Sequence, residues 1–341
     1  MVTRTHIGVL GGGSWGTAIA HLLRTASTPQ PTLLWLRDPE MAQAISKERT
    51  NSRYLPGLEL AAGIETTGDL QEVAERCELI FVVVPTKVMR PVMREIGDHL
   101  GPDQLLVSCS KGLEPGTAKR MTELLREETQ CPRTGALSGP NLAKEVVLGH
   151  PSATVVASHY DEVVVRVQKA LFGPRFRVYG NPDPIGVELC GALKNVVAIA
   201  AGVVEGLGFG DNTKAMLVTR GLAEIARFLG KLGGHEATMA GLAGMGDLMV
   251  TCGSALSRNH QVGVRLAKGQ SLAQIHDEMR QVAEGVNTVR VACEIGDREG
   301  FAVPISRAVY SLVHEGKPAA SAIADLMSIA PSWETERRRA F

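Results

Sequence analysis

The sequence predicts an α/β chain: an N-terminal Rossmann-type parallel-sheet domain over residues 1–183, then an all-α domain over residues 184–341. Three observations predict it. Apolar runs of strand length alternate with helical stretches through the first half. The first of those runs empties into a glycine-rich turn. After Pro182-Asp183-Pro184 the strand-like runs stop and long Ala/Leu/Val-rich stretches take over. A chain of 341 residues also exceeds one ordinary core, so two domains are expected.

The strand-like runs are residues 7–10, 33–36, 79–84, 105–108 and 154–157. They are continuously apolar rather than alternating, which fits a sheet covered on both faces and hence parallel. Helical stretches such as 16–23 and 88–99 lie between them, giving the doubly wound class. Beyond the boundary near 180–185, helices are expected at 187–205, 213–232, 258–268, 285–299, 304–315 and 318–329. Their joints are glycine-rich, at 206–210 and 241–246. The longest apolar helical run, 196–204, is too short to span a bilayer and directly follows Lys194 and Asn195, so no membrane insertion is expected.

Composition narrows the function classes. Apolar residues make up 44% and charged residues 21%, as in a soluble globular protein. The 36 basic and 36 acidic side chains balance, which leaves no electrostatic case for a nucleic-acid or membrane-surface partner. The one tight basic run, Arg337-Arg338-Arg339, reads as a solvated terminus. Cysteines at 77, 109, 131, 190, 252 and 293 have no CxxC spacing, and the histidines form no HExxH, so reduced thiols and no metal are expected. The N-terminus enters a strand at once, without the apolar core of a signal peptide. A cytoplasmic enzyme is the expectation.

The strand at residues 5–10 runs into Gly11-Gly12-Gly13-Ser14-Trp15-Gly16, a G-x-G-x-x-G turn that opens a helix. Gly11 permits the tight turn, Gly13 lets backbone approach a pyrophosphate, and Gly16 lets helix pack on strand. The amides of Ser14 and Trp15 would face the anion at the positive end of the helix. An ordinary glycine-rich turn is the competing interpretation, but the position at the first βα junction favours a dinucleotide. The second strand ends Trp35-Leu36-Arg37-Asp38. Arg37 would contact a 2′-phosphate and stack on adenine, or it is a solvated loop arginine.

In the helical half, Lys194 stands in an apolar run, where lost solvation would lower its pKa from about 10.4 toward working pH. Alternatively it snorkels to solvent. The adjacent Asn195, a poor helix former, tilts the balance toward a site. Asp247 and Thr251 are four apart and share a helical face, with Asp247 a helix cap, a ligand group or both. Ser257-Arg258-Asn259 opens a helix and offers free amides, a guanidinium and a hydroxyl, as a phosphate site needs. A simple Ser cap fits the spacing as well. Glu284 by itself reads as a first-turn acid of the helix near Gly285.

Further segments stand in a fixed order: Ser110-Lys111-Gly112-Leu113-Glu114, Ser138-Gly139-Pro140-Asn141-Leu142-Ala143-Lys144-Glu145, Leu193-Lys194-Asn195-Val196, Ala243-Gly244-Met245-Gly246-Asp247-Leu248, Thr251-Cys252, Ser257-Arg258-Asn259 and Val282-Ala283-Glu284-Gly285. With the opening glycine turn, these make the chain resemble the bacterial-type NAD(P)-dependent glycerol-3-phosphate dehydrogenases from about residue 5 to about 330. Departures are small: Asn141 stands where many members carry Ser or Thr, and Met245 replaces a common Leu.

The resemblance implies reversible reduction of dihydroxyacetone phosphate to sn-glycerol 3-phosphate for phospholipid synthesis. It implies dinucleotide contacts from Ser14, Trp15, Arg37, Lys111, Ala143, Arg258, Val282 and Glu284. Substrate contacts would come from Lys111, Gly139, Asn141, Lys194, Asp247, Ser257, Arg258 and Asn259, with Lys194 as proton acceptor. Asn195 and Thr251 join the substrate side through their place beside Lys194 and Asp247. A homodimer is implied by the resemblance alone. Arg37 before Asp38 favours an enzyme that accepts NADH and NADPH and prefers NADPH. The alternatives are a 3-hydroxy acid or 6-phosphogluconate type dehydrogenase, against which Asp247 and Ser257-Arg258-Asn259 speak, or a dinucleotide sensor without turnover, which could dispense with Lys194 and Asp247.

Overall fold

The computed structural model describes residues 4–279 and 283–329. Strands β1 (His6–Leu10), β2 (Thr32–Trp35), β3 (Ile64–Thr67), β4 (Cys77–Val82), β5 (Leu105–Ser108), β6 (Thr134–Ser138), β7 (Ser152–Ala157) and β8 (Phe176–Asn181) build one sheet. Their spatial order is β3-β2-β1-β4-β5-β6-β7-β8. The order reverses between β1 and β4, whose ends lie in register at Leu10 and Val82. That switch point is where open α/β sheets bind ligands, beyond the carboxyl ends of the strands.

Two points depart from the sequence expectation. The sheet is mixed, because β6 and β7 pair antiparallel through Ala136 and Ala157. Residues 139–151 hold only the short helix Ala143–Val147, so the chain turns back beside β6 instead of crossing the sheet. Moreover, β3, β6 and β8 have no strong apolar signature. β6 reads Thr-Gly-Ala-Leu-Ser, small and polar yet wholly buried. β8 lies at the sheet edge with Arg177 and Tyr179 exposed.

The sheet carries apolar layers on both faces. Ile7, Val9 and Phe81 face one set of helices; Leu10, Leu33 and Ile80 face the other. β8 ends at Asn181, and the helical half begins at Pro184. There Asp183 accepts the Gly186 amide at 2.8 Å, and Pro184 occupies the first turn, a strong helix start. The helix runs to Gly206. This corrects the sequence estimate of its length: at 23 residues and mean hydropathy 1.7 it is long and apolar enough to cross a membrane by length and composition. Its apolar window is wholly buried, as an all-round apolar core helix should be.

Helices Asp211–Leu232, Arg258–Ala267, Gly285–Glu299 and Pro304–His314 pack around it. The crossing with Arg258–Ala267 is closest. A Cβ on Gly202 would fall 2.1 Å from the His260 carbonyl oxygen, and one on Gly263 would fall 2.0 Å from that of Ile199. Only glycine permits backbones to approach so nearly. Glu224 is buried and caps Pro304–His314, accepting the amides of Ile305 (2.8 Å) and Ser306 (3.0 Å). Glu188 ties the central helix to the sheet half by accepting the Thr122 amide at 2.8 Å and Arg120 Nη1 at 2.9 Å. Burial raises both carboxyl pKa values despite these partners.

Candidate active site

The glycine turn is shaped partly by the protein and partly by empty space. Gly11 has φ +119°, and a Cβ there would lie 2.7 Å from the Val83 carbonyl oxygen. A Cβ on Gly16 would lie 1.8 Å from the Gly11 oxygen. Both glycines are demanded by the chain itself. Gly13 is different: a Cβ there meets nothing within 4 Å. Gly13 is also the N-cap of helix Ser14–Thr25, and no side chain caps it. Amides with no capping side chain, beside open space at a helix N-terminus, suit a pyrophosphate. The Trp15 Nε1 is buried without a hydrogen-bond partner among the described residues.

Sequence reasoning missed a second loop docked on this turn. Asn51 is buried, and its Nδ2 donates to the Gly12 carbonyl (3.1 Å) and Thr17 Oγ1 (2.8 Å). Its Oδ1 accepts the Tyr54 amide at 3.2 Å. Arg37 is exposed past the end of β2. Asp38 caps helix Pro39–Gln43, its Oδ1 accepting the amides of Glu40 and Met41, each at 3.1 Å.

The titratable centre lies at the carboxyl ends of β5 and β6. Lys111 follows β5, and its Nζ donates to the Gly139 carbonyl (2.9 Å) and to Asp247 Oδ2 (2.7 Å). Gly139 follows β6 with φ +154°, and a Cβ would fall 3.0 Å from Thr154 Cα. From the central helix, Lys194 Nζ donates to Asp247 Oδ1 (2.6 Å) and Thr251 Oγ1 (2.5 Å). Asp247 is thus shared by two ammonium groups.

Lys194 is 5% exposed and Asp247 2%, so Lys194 does not snorkel to solvent. Burial pulls the Lys194 pKa down to about 8; Asp247 opposes that shift and Lys111 adds to it. For Asp247, burial alone would raise the pKa, but Lys111 and Lys194 outweigh it and hold the carboxylate below its ordinary value. Asp247 begins helix Asp247–Gly253 without capping it. Thr251, one turn on, donates to the Asp247 carbonyl oxygen at 2.6 Å, as the shared face required.

A chain of amides links this centre to the next helix. Asn195 Nδ2 donates to the Lys111 carbonyl (3.2 Å), Asn259 Nδ2 donates to Asn195 Oδ1 (2.9 Å), and the Gly285 amide donates to Asn259 Oδ1 (2.9 Å). The polar ends of Asn195 and Asn259 are therefore held within the protein. Ser257 is the N-cap of Arg258–Ala267, accepting the His260 amide at 3.3 Å, and Arg258 lies exposed at the first helical position.

Asn141 Nδ2 donates to the Ala153 carbonyl at 2.9 Å, while its Oδ1 is buried without a partner among the described residues. Ala143 opens the short helix that follows. Glu284 reaches the sheet half, where its carboxylate accepts the amide and hydroxyl of Thr86. Thr86 carried no sequence signal. Val282 lies outside the described residues, as do the C-terminal arginines. No cluster of His, Cys, Asp or Glu suited to a metal occurs among the described residues.

Known proteins match nearly the whole chain. The family profile for the NAD-dependent glycerol-3-phosphate dehydrogenase N-terminus matches residues 6–164, and that for the C-terminus matches residues 183–324. A glycerol-3-phosphate dehydrogenase [NAD(P)+] of Pseudomonas paraeruginosa is 46% identical over 336 residues, covering 98% of each chain. One of Trichlorobacter lovleyi is 46% identical over 325 residues, covering 94% of this chain and 97% of that one. The crystal structure of glycerol-3-phosphate dehydrogenase from Coxiella burnetii superposes with a TM-score of 0.91 at 33% identity, covering 95% of this chain and 99% of that one. The chain therefore belongs to the NAD-dependent glycerol-3-phosphate dehydrogenase family.

Proposed function

We propose that the chain catalyses the reversible NAD(P)H-dependent reduction of dihydroxyacetone phosphate to sn-glycerol 3-phosphate. The observation that carries this is the Lys194–Asp247–Lys111 cluster, with Lys194 and Asp247 buried, at the same carboxyl edge of the sheet where β1 enters the glycine turn. Bound there, the nicotinamide dinucleotide supplies or accepts the hydride. Gly11, Gly13, Ser14, Trp15 and Gly16 hold its pyrophosphate, and Arg37 its adenosine end. Lys111, Ala143, Val282, Arg258 and Glu284 complete that side.

An ammonium has three N–H donors. Lys194 commits two, to Asp247 and Thr251, and keeps one for the substrate oxygen. With its pKa near 8, Lys194 is mostly protonated at neutral pH and gives up a proton readily. It donates that proton as the alkoxide forms and takes it back when the alcohol is oxidised. Asp247, held ionised, keeps the proton on the lysine and aims the ammonium. Lys111 adds a second positive charge for the developing alkoxide. Gly139 and Asn141, with its unclaimed Oδ1, contact the substrate hydroxyl side.

The phosphate sits at the N-terminus of Arg258–Ala267, on the Arg258 guanidinium, the Ser257 hydroxyl and the amide of Asn259. Asn195 supports this end through its bond to Asn259. Residues 1–183 serve as the dinucleotide domain and residues 184–341 as the substrate domain. A cytoplasmic homodimer feeding phospholipid synthesis completes the proposal, with family membership as its support. The test is loss of reduced-nicotinamide absorbance on adding dihydroxyacetone phosphate. Turnover of a 3-hydroxy acid in preference to the phosphorylated ketone would overturn it.

A further inference from the structure

We propose that Arg53 is a specificity-determining residue for the dinucleotide, supplying a second guanidinium beside Arg37 to a 2′-phosphate on the adenosine ribose. This rests on the dinucleotide site described above and asks what the site distinguishes. The point of departure is Asp38. An acid at the end of the second strand would ordinarily hold the ribose hydroxyls and repel a 2′-phosphate. Asp38 faces elsewhere. Its Oδ1 accepts the amides of Glu40 and Met41 at 3.1 Å each. Its Oδ2 lies 3.8 Å from Arg53 Nη1. The carboxylate that would read an unphosphorylated ribose is engaged as a helix cap and has a cation beside it.

Arg53 is placed there by the glycine turn itself. Asn51, two residues before it, and Tyr54, the residue after it, are both tied to that turn. Asn51 bonds to the Gly12 carbonyl and to Thr17, and the Tyr54 carbonyl accepts from Ser14 Oγ at 3.4 Å. The backbone carrying Arg53 is therefore positioned by the same residues that would hold the pyrophosphate. The guanidinium is another matter. It lies 5.3 Å from the centroid of the Tyr54 ring, and its side chain is 56% exposed. A long, exposed ion pair holds it weakly, so it can change partner at little cost.

Charge decides the direction of the effect. Arg37, exposed, precedes Asp38 in the chain, and Arg53 Nη1 lies 3.8 Å from the Asp38 carboxylate, so two guanidiniums attend this acid. A phosphate monoester brings close to two negative charges, and a guanidinium offers it a planar fork. A ribose with two hydroxyls brings none. Arg53 should thus act on one dinucleotide and hardly on the other, which a residue that merely braces the loop would not do.

The test is equilibrium binding of NADPH and of NADH to the full chain, followed by reduced-nicotinamide fluorescence. Arg53→Ala should weaken NADPH about tenfold, as loss of an exposed charge-assisted contact does, and leave NADH within about twofold. Arg53→Lys should recover part of the loss, because the charge returns without the fork. Arg53→Gln, which keeps the stem over Tyr54, repeats the measurement should the alanine variant melt early. Asp38→Asn retains the helix cap, since Asn caps as well as Asp; it should tighten NADPH a few-fold. Equal losses for both dinucleotides in the Arg53 variants, or none for either, would overturn the proposal. So would an Asp38→Asn variant that loses NADH selectively, because the carboxylate would then be reading the ribose. Failure of the wild-type chain to bind either dinucleotide would instead sink the cofactor site as a whole.

Discussion

Glu284 and Thr86 stand 198 residues apart and meet where the helical half touches the sheet half: the carboxylate accepts the Thr86 amide at 3.1 Å and its hydroxyl at 2.5 Å. Thr86 opens helix Thr86–Gly97, so the acid also sits at the favourable end of a helix dipole. Glu284→Ala should cost about 1–3 kcal/mol of unfolding free energy, the range for stranding a partly buried donor. Urea unfolding of Glu284→Ala, Thr86→Ala and the double variant measures the coupling. Strict additivity would mean that the two residues contribute separately.

Lys194→Met should lower turnover by about 10²–10⁴-fold, the usual worth of a positioned proton donor. Both dinucleotides should still bind within about twofold, because the Lys194 ammonium hydrogen-bonds to Asp247 and Thr251. A folded variant with near-normal kcat would remove Lys194 from the mechanism.

The pH profile follows from the same lysine. With Lys194 as the proposed proton donor, kcat/KM for reduction should fall as pH rises through about 8, while the oxidation rate should rise over that interval. Asp247 raises the Lys194 pKa, so Asp247→Asn should move the falling limb of the reduction profile to lower pH. A limb unmoved in that variant would assign the titration to another group.

Arg258→Ala should raise KM for dihydroxyacetone phosphate and erase most of the discrimination against dihydroxyacetone. A charge-assisted contact to phosphate is worth about 1.5–3 kcal/mol. If the variant still rejects the unphosphorylated ketone as wild type does, the phosphate is held elsewhere.

Arg37→Ala should weaken NADPH by about 1–2 kcal/mol and leave NADH nearly unchanged. The comparison is kcat/KM for each cofactor at one salt concentration. Losses of equal size would assign Arg37 to adenine stacking.

The parts of the site legible in the sequence are those whose constraint is local. In the glycine turn, the positive φ of Gly11 and the approach of Gly16 to the Gly11 carbonyl are set within a few residues, and Lys194 stands out as a charge in an apolar run. The hidden parts depend on groups brought together by the fold. Whether burial or Asp247 dominates the Lys194 pKa needs both side chains in place, and burial wins. Asp38 looks like a ribose ligand until its bonds to Glu40 and Met41 are seen. β6 stayed invisible because small and polar residues serve a strand whose neighbours cover it, and β8 because an edge strand needs no apolar run. Asn51 and Thr86 gave no signal, since a single polar residue in a loop is ordinary until its partner is known.

The glycine crossing of the central helix with Arg258–Ala267 acts as a gauge block. Lys194 lies on one of these helices and Ser257-Arg258 at the start of the other, and their separation is set where Gly202 meets the His260 carbonyl and Gly263 that of Ile199. Backbone in contact with backbone has no rotamers to adjust. The span from the proposed proton donor to the proposed phosphate anchor should therefore be constant in length, tolerant of changes in pocket lining and intolerant of a longer substrate. Widening the enzyme to phosphorylated ketones with an added carbon would require moving a whole helix, and substitutions confined to the side chains around the ligand should fail to do it.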